Sequence, residues 1–179
     1  MFVHSKVPSS TRTIRIKKES DLVLEREAQR HGVSVNALVS NLIDHYVYSL
    51  RFFTSGGMLS MNNETLMALM ENLSDEEIAD TAYARGSQKV RESLMQRGML
   101  VNYDSVIWYV SQILGEYNGW FRCDHIVEEK MDRLHLSHNY GFRWSIFIMN
   151  YIASMLKEVL SLKINTVILK NAVNIEIPK

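Results

Sequence analysis

The sequence predicts an α+β protein in two parts: an N-terminal strand-helix-helix module that serves as a dimerisation device, and a separate α+β domain of helices, a β-hairpin, a long helix and a terminal strand. Three observations carry this. An alternating strand is followed at once by two amphipathic segments with helix start and stop signals. A Thr-Ser-Gly-Gly stretch punctuates the chain at residues 54–57. Beyond it, helical periodicity gives way to two alternating β stretches, then to a long apolar helix.

Residues 1–10 end in Pro8-Ser9-Ser10 and read as a flexible arm. The module spans 11–53. In "TRTIRIKK" (11–18), Ile14 and Ile16 point one way while Thr13, Arg15 and Lys17 point the other. The segment "SDLVLEREAQRHG" repeats Leu24, Ala28 and His31 at helical spacing, places Asp21 in the first turn and ends on Gly32, which suits a C-terminal cap. Ser34 is a good N-cap for a second helix whose apolar stripe is Ala37, Leu38, Val39, Leu42, Ile43, Tyr46, Val47 and Leu50. That stripe is too wide for one small helix to cover.

After the 54–57 linker, the second domain covers 58–179. "MLSMN" reads as a short strand, and "NETLMALMENL" and "SDEEIADTAYARGSQKVRESLMQRG" as helices, the latter with Ser74 and Glu77 in the S-x-x-E capping arrangement. "YDSVIWYVSQILGEY" is a further amphipathic helix, closed by the turn Asn118-Gly119. "WFRCDHIVEE" and "DRLHLSHNY" form a hairpin joined near Lys130, "FRWSIFIMNYIASMLKEVLS" is the long helix, and "NTVILKNAVNIEI" is the β-rich terminus.

Composition bounds the function. The chain of 179 residues is 46% hydrophobic, enough for a packed core, and carries 20 basic and 20 acidic residues. It has no apolar run of membrane-spanning length and no signal peptide, so the expected compartment is the cytoplasm, without a membrane partner. One cysteine, Cys123, excludes an internal disulfide, and no zinc cassette is present. The neutral balance is uneven. Residues 1–18 carry Lys6, Arg12, Arg15, Lys17 and Lys18 without an acid, whereas 64–80 carry Glu64, Glu71, Asp75, Glu76, Glu77 and Asp80 without a base. A basic end of this kind marks a polyanion-binding end.

One isolated strand cannot satisfy its backbone groups, and two short helices offer half a core. Pairing two copies solves both problems: the strands form an antiparallel ribbon, with isoleucines inward and Thr13, Arg15 and Lys17 outward. Such a ribbon fits the major groove of B-DNA. "TRTIRIKKESDLVLEREAQRHGVSVNALVSNLIDHY" resembles the ribbon-helix-helix family of DNA-binding regulators, which includes the methionine, Arc and plasmid copy-number repressors. The resemblance rests on the alternating strand, Ala28 and Gly32 in A-x-x-x-G, and the "GVSVNALVSNLI" entry into the second helix, and covers residues 11 to about 50. It implies that Thr11, Thr13 and Arg15 contact bases, with Lys17 a fourth reader or a phosphate contact. It also implies that the backbone at Ser34, Val35 and Asn36 holds a phosphate, as the helix dipole favours independently. Arg12 departs from the alternation, which puts the start of the ribbon at Thr13.

The function expected is therefore that of a homodimeric transcriptional regulator on double-stranded DNA, with the second domain sensing an effector or extending the oligomer. The nickel-responsive repressors join such a head to a metal-sensing α+β domain, which makes Cys123, His125, His135 and His138 candidate ligands for a divalent metal; no other cofactor is expected. His135 and His138 differ by three and fall on opposite faces of a regular strand. Trp108, Trp120, Tyr140 and Trp144, around Gly141, are candidates to line a small-molecule pocket, although such aromatics more often fill a core. No catalytic constellation is present, so an enzyme is not expected. Two alternatives stand beside this reading: an antitoxin whose tail wraps a toxin, and a ligand carrier or enzyme that uses its N-terminal element only to dimerise.

Overall fold

The computed structural model describes residues 10–52 and 60–179, and is an α+β fold with six α-helices and one four-stranded antiparallel sheet among those residues. The predicted arm (1–9 of it), the linker at 54–57 and the first two residues of "MLSMN" lie outside the described residues. Ser60–Asn62, the rest of that stretch, form no strand. The chain divides into two compact units, Met1–Tyr46 and Val47–Lys179. The division falls inside the second helix, upstream of the punctuated stretch. Its physical reason is that Ser49 is buried and the Tyr48 carbonyl is bonded by Arg97, so the end of that helix belongs to the larger unit.

The first unit holds α1 (Lys18–His31) and most of α2 (Val35–Tyr48). The larger unit begins its helices with α3 (Asn63–Met70), capped by the Asn62 side chain accepting from the Thr65 amide at 2.9 Å. In α4 (Asp75–Gln96) the predicted capping box is formed: the Ser74 amide donates to Glu77 at 2.7 Å, and the Glu77 amide donates to Ser74 Oγ at 3.1 Å. The buried residues of α4 recur every fourth position, Ile78, Ala82, Gly86, Val90 and Leu94, which is a single stripe along the helix. This stripe meets α6 (Phe142–Ser154), the most extensive helix contact in the unit. Gly86 permits the approach, because a Cβ there would lie 2.0 Å from the Tyr151 carbonyl oxygen and 2.3 Å from Ser154 Oγ. Any side chain at 86 forces the two helices apart.

Between them in sequence comes α5 (Tyr103–Trp108), which continues in a wider, i→i+5 winding over Tyr109–Tyr117. The long helix α6 widens in the same way over Met155–Val159. Gly141, at φ 83, turns the chain into α6, a conformation in which a residue with a Cβ is strained. Met70 and Met155 are buried, and Met67 and Met149 pack against the core, as their helical spacing predicts.

The sheet has the order β1 (Arg122–Val127), β2 (Met131–Ser137), β4 (Ala172–Pro178), β3 (Asn165–Leu169), all antiparallel. The first two strands are the predicted hairpin. The terminal strand is two strands rather than one, β3 and β4, which turn at Lys170-Asn171 with Leu169 opposite Ala172. The turn carries no glycine, the usual punctuation of a two-residue hairpin, so pattern alone runs through it. Asn171 is instead held from outside: its backbone oxygen accepts from the His138 amide at 2.9 Å and its side chain from the Gly141 amide at 3.0 Å. Alternation gives the sheet one dry face, where Leu134, Leu136, Val173, Ile175 and Ile177 are buried, and one wet face with Arg133, His135, Asn174 and Glu176. Burial of each such Leu, Ile or Val stabilises by roughly 1.5–3 kcal/mol. Among the described residues no helix is long and apolar enough to cross a membrane.

Candidate nucleic-acid interface

The basic segment at the front of the chain has no regular secondary structure and, among the described residues, no strand partner. Residues 10–17 form no ladder with any described strand, and Lys17, just before α1, is in extended conformation with φ −66 and ψ 143. Thr11, Thr13, Arg15 and Lys17 are all exposed, and among the described residues neither Arg15 nor Lys17 makes an ion pair. Ile14 and Ile16 are exposed as well, at 63% and 44%. Neither isoleucine is part of a core among the described residues.

Behind this segment the two helices are set by local chemistry. Gly32 takes the left-handed conformation (φ 66), its amide donates to the Gln29 carbonyl at 3.2 Å, and the Val33 amide reaches the Ala28 carbonyl at 3.0 Å. Ala28 and Gly32 thus play different parts at a spacing of four: the small residue is buried and the glycine stops the helix. The chain restarts at Ser34, whose Oγ accepts from the Ala37 amide at 3.1 Å. No acidic side chain stands in the first turn of α2, so the positive end of its dipole, at Ser34, Val35 and Asn36, is not neutralised locally.

The helices leave their apolar residues outward. Within residues 10–46, Ala28 is the buried side chain, while Leu22, Val23, Val33, Leu42, Ile43 and Tyr46 are each 40% exposed or more. A solvated face of that size on so short a segment is unusual for a complete folding unit.

The four metal candidates of the larger unit are not brought together. Cys123 and His125 share the inner face of β1, opposite Leu136 and Leu134. His135 lies on the other face of the sheet, its Nδ1 2.6 Å from Asn174 Oδ1. His138 is buried beyond the end of β2, with Nε2 2.9 Å from Ser145 Oγ and Nδ1 accepting from the Tyr140 amide at 3.1 Å. Among the described residues no three His, Cys, Asp or Glu side chains form a metal-holding group. Burial pushes the Cys123 thiol up to about 11, with the Asp124 carboxylate adding to it, and burial pulls His138 below its ordinary value. Neither group is poised as a reactive thiolate or a charged imidazole at neutral pH.

One titratable cluster escaped the pattern reading. Asp132 is 4% exposed, accepts from the Tyr103 hydroxyl, and has Lys179 Nζ at 2.9 Å and His125 Nε2 at 3.7 Å. Burial pushes its carboxyl up, but Tyr103, Lys179 and His125 together outweigh this and the net shift is downward. The signal was present: counting by two from Leu134 and Leu136 places Asp132 on the buried face. Of the aromatics considered as pocket lining, Trp144, Trp120 and Tyr140 pack on one another and on Phe147 and Tyr151, and Trp108 meets Tyr48 edge to face. Trp120 lines a cavity of about 500 Å³.

The chain matches no protein-family model and no curated protein.

Proposed function

We propose that the protein is a homodimeric, sequence-specific DNA-binding transcriptional regulator of the ribbon-helix-helix type, acting in the cytoplasm. Two copies would pair residues 11–18 into an antiparallel ribbon, covering Ile14 and Ile16 with the helices of both chains. Thr11, Thr13, Arg15 and Lys17 would then enter the major groove and read base edges, while the backbone at Ser34, Val35 and Asn36 holds a phosphate on each side. Two-fold symmetry demands a pseudo-palindromic operator. The α+β unit would sense an effector or extend the oligomer.

The observation that carries the reading is the pairing of two features in residues 10–46: a basic segment that forms no ladder among the described residues, and a set of exposed large apolar side chains. One dimer contact removes both. The antitoxin alternative is less favoured, because it expects a tail without a core of its own, and the α+β unit has a large one. The test is selection of bound duplexes from a random pool, with and without added divalent metals, followed by fluorescence anisotropy on the selected site. Retention should fall steeply with salt, since phosphate neutralisation supplies much of the affinity. Arg15→Ala should abolish site-specific retention while sedimentation still reports a dimer; unchanged retention in that variant overturns the assignment of the readers.

A further inference from the structure

A cavity in the α+β unit has a chemical bias. It measures about 500 Å³, inside the ~300–1,000 Å³ range of small-molecule sites, and opens between the end of α2, α4, the widened part of α5 and α6. Rings from Phe52, Tyr109, Trp120 and Tyr151 line it, with Ile113 and Leu114 below. Tyr109 and Tyr151 are each 6% exposed, and their hydroxyls are hydrogen-bonded to each other, with Ser93 bonded to Tyr109.

The charged groups on the wall are not equivalent. Glu92 is engaged, receiving Lys89 Nζ at 2.8 Å and Gln88 Nε2 at 2.9 Å, which leaves that lysine neutralised. Arg97 has no carboxylate partner among the described residues. Its Nε and Nη2 donate to the Tyr48 carbonyl at 3.0 and 2.8 Å, and its Nη1 donates to the Ser93 carbonyl and hydroxyl. These contacts use four of the five N–H donors of a guanidinium and fix its plane. Phe52 stacks on it, with the guanidinium carbon 4.1 Å from the ring centroid, and Arg51 lies over the same ring at 4.6 Å. Burial lowers the Arg97 pKa and Arg51 adds to this, with Tyr109 pulling the other way.

We infer that this cavity is a binding site for a small aromatic carboxylate, whose ring packs among Tyr109, Trp120 and Tyr151 and whose carboxylate is held by Arg97. A held guanidinium loses little freedom on binding, and an aromatic-lined wall favours a planar body over an aliphatic one. The inference stands whether or not the N-terminal unit binds DNA. Because Arg97 also bonds the last carbonyl of α2, ligand and helix end share one cation.

The experiment is calorimetric titration of the full-length protein with benzoate, 4-hydroxybenzoate and indole-3-acetate, alongside the neutral 4-hydroxybenzamide and ringless acetate. At least one aromatic acid should bind saturably and quench tryptophan fluorescence. The amide should bind about tenfold more weakly than 4-hydroxybenzoate, the value of a charge-assisted hydrogen bond, and acetate should show no saturation over the same range. Arg97→Gln should reduce acid binding to the amide's level, while Arg133→Gln, on the wet face of the sheet, should leave it unchanged. If Arg97→Gln does not fold, the acid-to-amide ratio of the unaltered protein decides alone. Equal affinity for acid and amide, equal loss in the Arg133 variant, or no saturable binding of any of the three acids overturns the site.

Discussion

The two units of the chain solve the problem of apolar surface in opposite ways. The α+β unit closes a core on itself, with Leu94, Val106, Val110, Leu136, Ile148, Ile152, Met155 and Ile175 all at 0% exposure. Residues 10–46 bury Ala28, half-bury Leu24, Leu38 and Val39, and leave Leu22, Val23, Leu42, Ile43 and Tyr46 exposed. The difference teaches that amphipathic patterning specifies a face, and that a second surface must complete it. In the larger unit that surface is supplied by the sheet and four helices; in the smaller one residues 10–46 do not supply it among themselves.

This contrast can be tested by disturbing each side in turn. The largest effect is expected at Ile148, fully buried in α6, where Ile148→Ala should cost about 2–5 kcal/mol in urea unfolding of the α+β unit. The midpoint should not change with protein concentration, because that core is intramolecular. Next is Ile16→Asp, which should lose about 1.5–3 kcal/mol per copy if the isoleucine is covered in a dimer. Sedimentation at rising concentration should show monomer where the unaltered protein is dimeric; an unaffected dimer breaks the comparison. A smaller loss, about 1 kcal/mol, is expected for Ser34→Ala, which removes the cap on α2 and is read in the thermal transition of the N-terminal unit.

The smallest effect concerns acid. Burial holds His138 below its ordinary value of 6.5, so on acidification the unfolded chain takes up its proton before the folded one does. Stability of the larger unit should therefore decline as pH falls from about 7 to about 5. His138→Gln should flatten that slope in chemical denaturation across the range, even if it shifts the absolute stability. A slope identical in both proteins would place the acid sensitivity elsewhere.

What could be read without coordinates was whatever chemistry is short-ranged. Ser34 with Ala37, Ser74 with Glu77, and Gly32 beyond Ala28 declare helix ends within a few residues, and the structure places caps at all three. The β1-β2 hairpin was legible because alternation and a turn lie together. The division of the terminus into β3 and β4 was not, since Lys170-Asn171 is held by His138 and Gly141 from another part of the chain. The cavity was least legible. Its walls come from residues 49, 52, 89–97, 109–120 and 151, and what sets Arg97 apart is that the Tyr48 carbonyl and the Phe52 ring, distant from it in sequence, hold its guanidinium together with Ser93, which no local pattern records.

The position of β3 at the edge of the sheet has a consequence for the protein in solution. "NTVIL" carries no charge, exposes Val167 and Leu169, and offers one unpaired row of backbone groups, which together form a template for strand-by-strand aggregation. With a formal net charge of zero at pH 7, the chain as a whole gives little colloidal repulsion. Lys163 and Lys170, flanking the strand, are then its gatekeepers. Chemical acetylation of those two ammonium groups should shorten the storage life of concentrated samples at neutral pH, and a buffer one or two pH units away from neutrality should lengthen it.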